Sequence, residues 1–216
     1  SIRNGPVEQL APQALGASVR IEMGDQDIGI PLTTVQLPNA LPLLGISNGK
    51  VPLFMLEPRI DATGTFISQS NPLTLASNTF TVNITCNVHM TSLSSFTIIG
   101  LEDSCTHKDV DVILQPLTVQ SAAALDVRAI WMSTTANQKG IRIMMKRAAT
   151  TVAHAFEFTL QNCAYARAYS AISLEGVVEM GYYDSHFNGG DTVQMAVVSG
   201  ARFGVPDGAK PLFIVE

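Results

Sequence analysis

The residues from Phe80 to Met90 alternate without a break. Phe80, Val82, Ile84, Cys86, Val88 and Met90 are apolar, and Thr81, Asn83, Thr85, Asn87 and His89 between them are polar. A strand sends successive side chains to opposite faces, so this run has one dry face and one wet face. On a helix the same residues would scatter around the circumference and leave no apolar stripe. The β-branched and aromatic content favours a strand as well. Asn78 on one side and Thr91-Ser92 on the other supply the flanking turn chemistry. The pattern predicts the central strand of an antiparallel sheet, with the rest of the chain packed against its dry face.

Shorter runs repeat the theme. Gly64 to Ile67 and Phe96 to Gly100 are strand candidates, separated from the central strand by polar loops such as Ser68 to Asn78. Val110, Val112 and Leu114 alternate with Asp111 and Ile113 up to Pro116. Val127, Ala129 and Trp131 face Ile141, Ile143 and Met145 across a polar turn, which reads as a hairpin. Phe156, Phe158 and Leu160 alternate with Glu157 and Thr159. Tyr165 to Tyr183 reads either as a helix over Ala164 to Ala171 or as a loop leading into a strand, and the strand is favoured. Asn188 to Asp191 is a turn into Val193, Met195 and Val197; Phe203, Val205 and Leu212 to Val215 finish the chain. Ser121 to Leu125 is the best local helix former, good for one or two turns.

The first part of the chain reads differently. Gly5-Pro6, Pro12 and Gly16 predict an extended arm over residues 1–20, followed by a single domain over 21–216. Pro31, Pro38, Pro42 and Pro52 exclude a long regular helix between Val19 and Leu56. Asn48-Gly49 is a favourable hairpin turn there, and the prolines push its flanks toward a sheet edge. Eight to ten short strands with almost no helix predict an all-β fold, a two-sheet sandwich or a barrel.

Composition sharpens this. In 216 residues 46% are apolar and 14% charged, against about 25% charged in an ordinary soluble monomer. Much of the surface is therefore expected to meet protein. A net charge of −5 argues against a stand-alone nucleic-acid-binding module. No run approaches the roughly 20 apolar residues of a membrane span, and Ser1 to Gly16 does not read as a signal peptide. Cys86, Cys105 and Cys163 are odd in number and widely spaced, so no disulfide framework is expected and a reducing compartment is. Cys86 is expected to be buried.

Candidate chemistry is sparse. Cys86 and His89 fall on opposite faces of a strand, and Cys105 with His107 lacks further metal ligands. Asp184-Ser185-His186 resembles a compressed catalytic set without a nucleophile elbow. Gly45 to Lys50 is one residue short of a phosphate loop. Glu102-Asp103 and Asp109/Asp111 lack the ordered spacing of a calcium loop. Asn83-Ile84-Thr85 matches a glycosylation acceptor in mid-strand. Lys139, Arg142, Lys146 and Arg147 form the one basic cluster, and Arg142 and Lys146 would share a strand face toward RNA or an acidic interface. No enzyme, metal or cofactor is expected.

The chain begins at Ser1 and stops at Glu216, ends that fit a protease cutting between Gln or Glu and a small residue. With the all-β pattern, the thin charge and the Pro-rich start, the chain resembles a jelly-roll coat protein of a picorna-like virus, in size one of the plant-virus family Secoviridae. The resemblance implies a jelly-roll sandwich of about eight strands and a structural protein made in the host cytoplasm and resident in the virion. It also implies assembly with copies of itself and sister coat proteins into an icosahedral shell around single-stranded RNA, without a membrane or small-molecule partner. Three rivals stand beside it, one of them a plant-virus movement protein, for which a more basic chain is expected. Another is a bacteriophage tail, fibre or decoration protein. The third is a carbohydrate-binding β-sandwich, for which Tyr182, Tyr183 and Phe187 would be the exposed aromatic group.

Overall fold

The computed structural model describes residues 15–23, 26–35, 46, 56–101, 104–106, 111–133, 139–169, 171–179 and 184–216. The chain divides into two units, residues 1–57 and 58–216. In the first, β1 (Leu15–Met23) pairs antiparallel with β2 (Gln26–Val35). The register slips where Ala17 faces Thr33 and Val19 faces Ile30. Pro31 lies in that gap, where a residue without an N–H costs the ladder least. Residues 15–20, expected as the end of an arm, thus form most of β1. The Asn48-Gly49 turn and the Gly45 to Lys50 loop lie outside the described residues, apart from Ile46.

The second unit is all-β. Its strands are β3 (Phe66–Gln69), β4 (Ser77–Thr85), β5 (Ser95–Ile99), β6 (Val112–Pro116), β7 (Leu125–Ser133), β8 (Lys139–Met145), β9 (Ala153–Gln161) and β10 (Ser173–Glu179). Three short ones follow: β11 (Asp184–His186), β12 (Val193–Gln194) and β13 (Ala196–Val197). Among the described residues one α-helix forms, α1 (Val119–Ala124), capped at its start by Thr118, whose Oγ1 accepts from the Ser121 N–H at 3.0 Å. The turn expected over Asn188 to Asp191 begins one residue earlier, as a 3-10 turn over Phe187–Gly190.

These strands form one sheet in the order β11-β10-β5-β8-β7-β6-β9-β4-β3-β13. It folds over at β6. The first half of β6 pairs with β7, through Val112 to Ala129 and Ile113 to Arg128; the second half pairs with β9, through Leu114 to Phe158 and Pro116 to Phe156. The far ends of the sheet nearly meet along Val193 to Val197. There β12 pairs with β10 at one end, and β13 runs parallel to β3 at the other. Met195, between them, is buried and donates its N–H to Ile172 O at 2.9 Å.

The core lies between the two halves. The expected central strand, β4, is an interior strand of one half, flanked by β3 and β9. Its ladder stops at Thr85, earlier than the alternation suggests, yet Cys86, Val88 and Met90 remain buried beyond it. Phe80 stacks on Phe158 across the ladder, with centroids 5.3 Å apart, and Phe156 lies 6.4 Å from Phe158. From the opposite half come Phe96, Ile98, Ile141, Ile143 and Leu174, all fully buried. Burying each such side chain is worth about 2 kcal/mol. The favoured strand reading of the segment before Tyr183 holds: β10 pairs with β5 from Ser173 to Val177.

Two polar positions on the dry face have a different use. Gln69 and Asn78 are buried and join Asn162 in an amide cluster. Gln69 Nε2 donates to Gly208 O at 3.1 Å and Phe213 O at 2.8 Å; its Oε1 accepts from the Leu212 N–H and from Asn78 Nδ2. Asn78 also donates to Asn162 Oδ1 at 2.9 Å, and Asn162 Nδ2 reaches Asn71 O and Leu73 O. Every hydrogen-bonding position of the Gln69 amide is satisfied, as a buried amide requires. The cluster pins the segment from Gly208 to Phe213 against β3 and β4.

Candidate functional site

The cysteines correct one expectation outright. Cys105 and Cys163, 58 residues apart in sequence, form a disulfide. Spacing alone gave no hint, because β9 delivers Cys163 beside the loop that carries Cys105. The Cys105 N–H donates to Gln161 O at 2.9 Å, and the Gln161 N–H donates to Thr106 Oγ1 at 2.8 Å. The bond removes Cys105 as a metal ligand. Cys86 is the free, buried thiol that its strand position predicts. Burial pushes it up to about 12, so it carries no thiolate chemistry at neutral pH.

Among the described residues no group of three metal-ligating side chains converges. His154 is fully buried with neither ring nitrogen hydrogen-bonded. Burial, and then the charge of nearby His89, lower it to about 4. Asp184 to His186 pair with β10 as β11, and His186 Nδ1 lies 3.8 Å from Glu175 Oε1. Phe187 is buried against Phe96, at 6.1 Å between ring centroids, so it is a core residue and not the exposed aromatic a sugar site would use. Tyr182, Tyr183, His107, Glu102, Asp103 and Asp109 lie outside the described residues. Asp111 is held by Arg128 at 3.6 Å. Asn83 Nδ2 donates to Gly64 O at 2.6 Å, which occupies the amide in the fold.

The basic cluster does not act as one strand face. β8 ends at Met145. Arg142 lies within it and donates from Nε to Ser95 Oγ at 3.1 Å. Lys146, one step past the strand, turns back to α1 and donates from Nζ to Ala122 O at 2.7 Å, near the helix C-terminus where a cation is favoured. Arg147 is exposed. Ser1 is outside the described residues, and Glu216 is exposed.

Several large apolar side chains on and beside β6 and β7 stay exposed instead. Ile113, Leu117, Val119, Val127 and Ile130 are all exposed, Val119 at 83%. Ile113 pairs with Arg128, and Ile130 with Arg142. Beside Ile113 the outer face of β4, β6 and β9 sinks into a depression of about 420 Å³, lined among others by Asp111, Gln115, Glu157 and Thr159. A second exposed apolar group, Phe203, stands at 70% exposure on the turn Arg202 to Val205. The signal for the first group was present in the sequence: Ile113 sits at a wet position of its own alternation. Phe203 gave none, since a lone aromatic in a Gly- and Pro-rich segment reads equally well as core.

No protein-family model matches this chain, and no curated protein matches it in sequence.

Proposed function

We propose that the protein is a structural viral coat subunit, a jelly-roll sandwich that assembles with copies of itself and with sister coat proteins into an icosahedral shell around single-stranded RNA. The observation that carries this reading is the number of large apolar side chains left exposed on and beside β6 and β7, on a chain with only 14% charged residues. Interface cores are depleted in charge, and exposed large apolar side chains on so thinly charged a chain suit burial against other protein. The jelly-roll assignment is supported by the eight strands β3 to β10, each of four residues or more, folded into two layers. Their pairings are largely non-local: β4 with β9, β6 with β9, β5 with β8 and β5 with β10. Such wrapping is the habit of Greek-key windings.

In this reading Arg142, Lys146 and Arg147 supply a weak contact to RNA or to an acidic neighbour. The virion is the resident site, and the chain is made in the host cytoplasm. The Cys105–Cys163 bond then closes after the subunit has left that reducing environment. Sedimentation and negative-stain microscopy of material from the natural source test the assignment. Closed spherical particles are expected, and a monomer that stays monomeric beside its natural partners overturns it.

The disulfide also favours one rival, an extracellular carbohydrate-binding module using the hydroxyl- and carboxylate-lined depression beside Ile113. Saturable binding to a glycan array, lost in Glu157→Ala, would select it.

A further inference from the structure

We propose that Cys105–Cys163 is a reducible clasp: a thiol reductant opens the bond in the folded protein and frees Ser104–Thr106 from the edge of β9, leaving the rest of the sheet intact. The proposal goes beyond the coat reading and does not depend on it.

β9 needs a cover at its end. β4 runs beside it as far as Gln161. On the other edge, among the described residues, β6 pairs with it only over Phe156 to Phe158, the first half of β6 being engaged by β7. Ser104–Thr106 takes over at Gln161. The Cys105 N–H donates to Gln161 O at 2.9 Å, and the Gln161 N–H donates to Thr106 Oγ1 at 2.8 Å, so both backbone groups of that residue are satisfied by this segment. An uncovered strand edge is a template for foreign strands, and the segment blocks it here.

The two ends of the bond are anchored unequally. Cys163 is 2% exposed, its O accepts from the Leu75 N–H at 3.1 Å, and the Asn162 N–H beside it donates to Ala76 O at 2.9 Å. Asn162 also belongs to the amide cluster. That side stays in place when the bond is open. Cys105 and Gln161 are both exposed, and hydrogen bonds at an exposed strand end open readily once the covalent tie is gone.

Exposure also decides the route of reduction. The thiolate of a small dithiol reaches Cys105 Sγ without any opening of the core. Its attack forms a mixed disulfide on Cys105 and breaks the S–S bond; Cys163 Sγ leaves with the electron pair and takes up a proton. The second thiolate of the dithiol then displaces the first from Cys105. Cys105 leaves as a thiolate and is protonated, and the reductant ends as its own cyclic disulfide. Cys86, buried, takes no part.

Thr106 also lines the depression beside Ile113. With its hydroxyl released from Gln161, that wall withdraws and the end of β9 is bared. The clasp thus ties this surface to the redox state around it, fastened where disulfides persist and open where thiols prevail.

The test treats the oxidised full chain with dithiothreitol at neutral pH without denaturant, and follows thiol labelling and amide exchange by mass spectrometry. Cys105 is expected to gain a maleimide label while Cys86 does not, and the near-ultraviolet circular dichroism is expected to persist. The amides of Cys105 and Gln161 are expected to exchange about tenfold faster or more, with those of Val82 and Phe158 unchanged. Cys105→Ser/Cys163→Ser, kept without reductant, is expected to show the same local loss, which separates the bond from the reagent. A bond that yields only in urea is a permanent staple and overturns the proposal. Reduction that abolishes the near-ultraviolet signal overturns it too, as does Gln161 remaining as protected as before in the reduced chain or in the double variant.

Discussion

Phe96 and His154 meet ring to ring across the two layers, with centroids 6.0 Å apart and planes tilted by 52°. Phe96 comes from β5 and His154 from β9, so the imidazole lies in the apolar interior with both nitrogens unpartnered. A charge there has nothing to hold it, and the fold depends on the ring staying neutral.

That dependence gives a signed prediction. Folded, His154 takes up a proton only at about 4, because burial and then His89 disfavour its cation; unfolded, it does so at 6.5. Between these values the unfolded chain binds more protons, so stability rises with pH across the window. The contribution is intact above pH 6.5 and is lost as pH falls toward 4, a total of about 3 kcal/mol. Urea unfolding at several pH values is expected to show the fall, and His154→Leu is expected to flatten that part of the profile. A wild-type curve level from pH 7 to 4.5 would contradict it.

The amide cluster should be costly to break. Gln69→Leu leaves the Leu212 N–H and the Gly208 and Phe213 carbonyls without their partner. A loss on the order of 3 kcal/mol is expected in chemical unfolding, with earlier proteolytic cleavage between Gly208 and Phe213. Thr159→Val, on the exposed face of β9, should stay within about 0.5 kcal/mol of the wild type.

Cys105–Cys163 closes a long loop, and constraint of the unfolded chain over that length corresponds to about 4 kcal/mol. Thermal unfolding of the Cys105→Ser/Cys163→Ser double variant should start well below that of the oxidised protein. Equal midpoints would mean that the bond constrains nothing the fold does not already fix.

Cys86 is expected to resist alkylation at pH 8 in the folded protein, and to react to one label per chain once unfolded without reductant. Burial keeps the thiol protonated up to about 12, and the other two cysteines are bonded to each other. Intact-mass measurement reads both states. Rapid labelling of the folded chain would mean that the site is open to solvent.

The sheet was legible where alternation ran long. β4, β7, β8 and β9 lie where apolar and polar residues take turns, because each has one face on the core and one outside. The end of β4 was not, since Cys86, Val88 and Met90 stay buried after the continuous ladder has stopped, held by isolated pairings such as Cys86 with Ile60, and the pattern does not mark where a ladder ends. Gln69 and Asn78 read as loop polarity; that they sit on the dry face becomes visible only once the parity with Ile67 and Phe80 is taken seriously. The disulfide was illegible for another reason. It joins residues brought together by the pairing of β9, and pairing between distant strands leaves no mark in local spacing.

The near-closure along Val193 to Val197 also sets a timetable. A ribosome delivers β3 first and residues 193–197 some 130 residues later, an interval on the order of ten seconds at ordinary elongation rates. Until then the free edge of β3 and part of that of β10 have no strand of their own chain to pair with. A nascent subunit therefore passes through a period in which it can recruit a strand from a neighbour on the same message. How crowded the translating ribosomes are, and not only how stable the finished subunit is, should govern its yield.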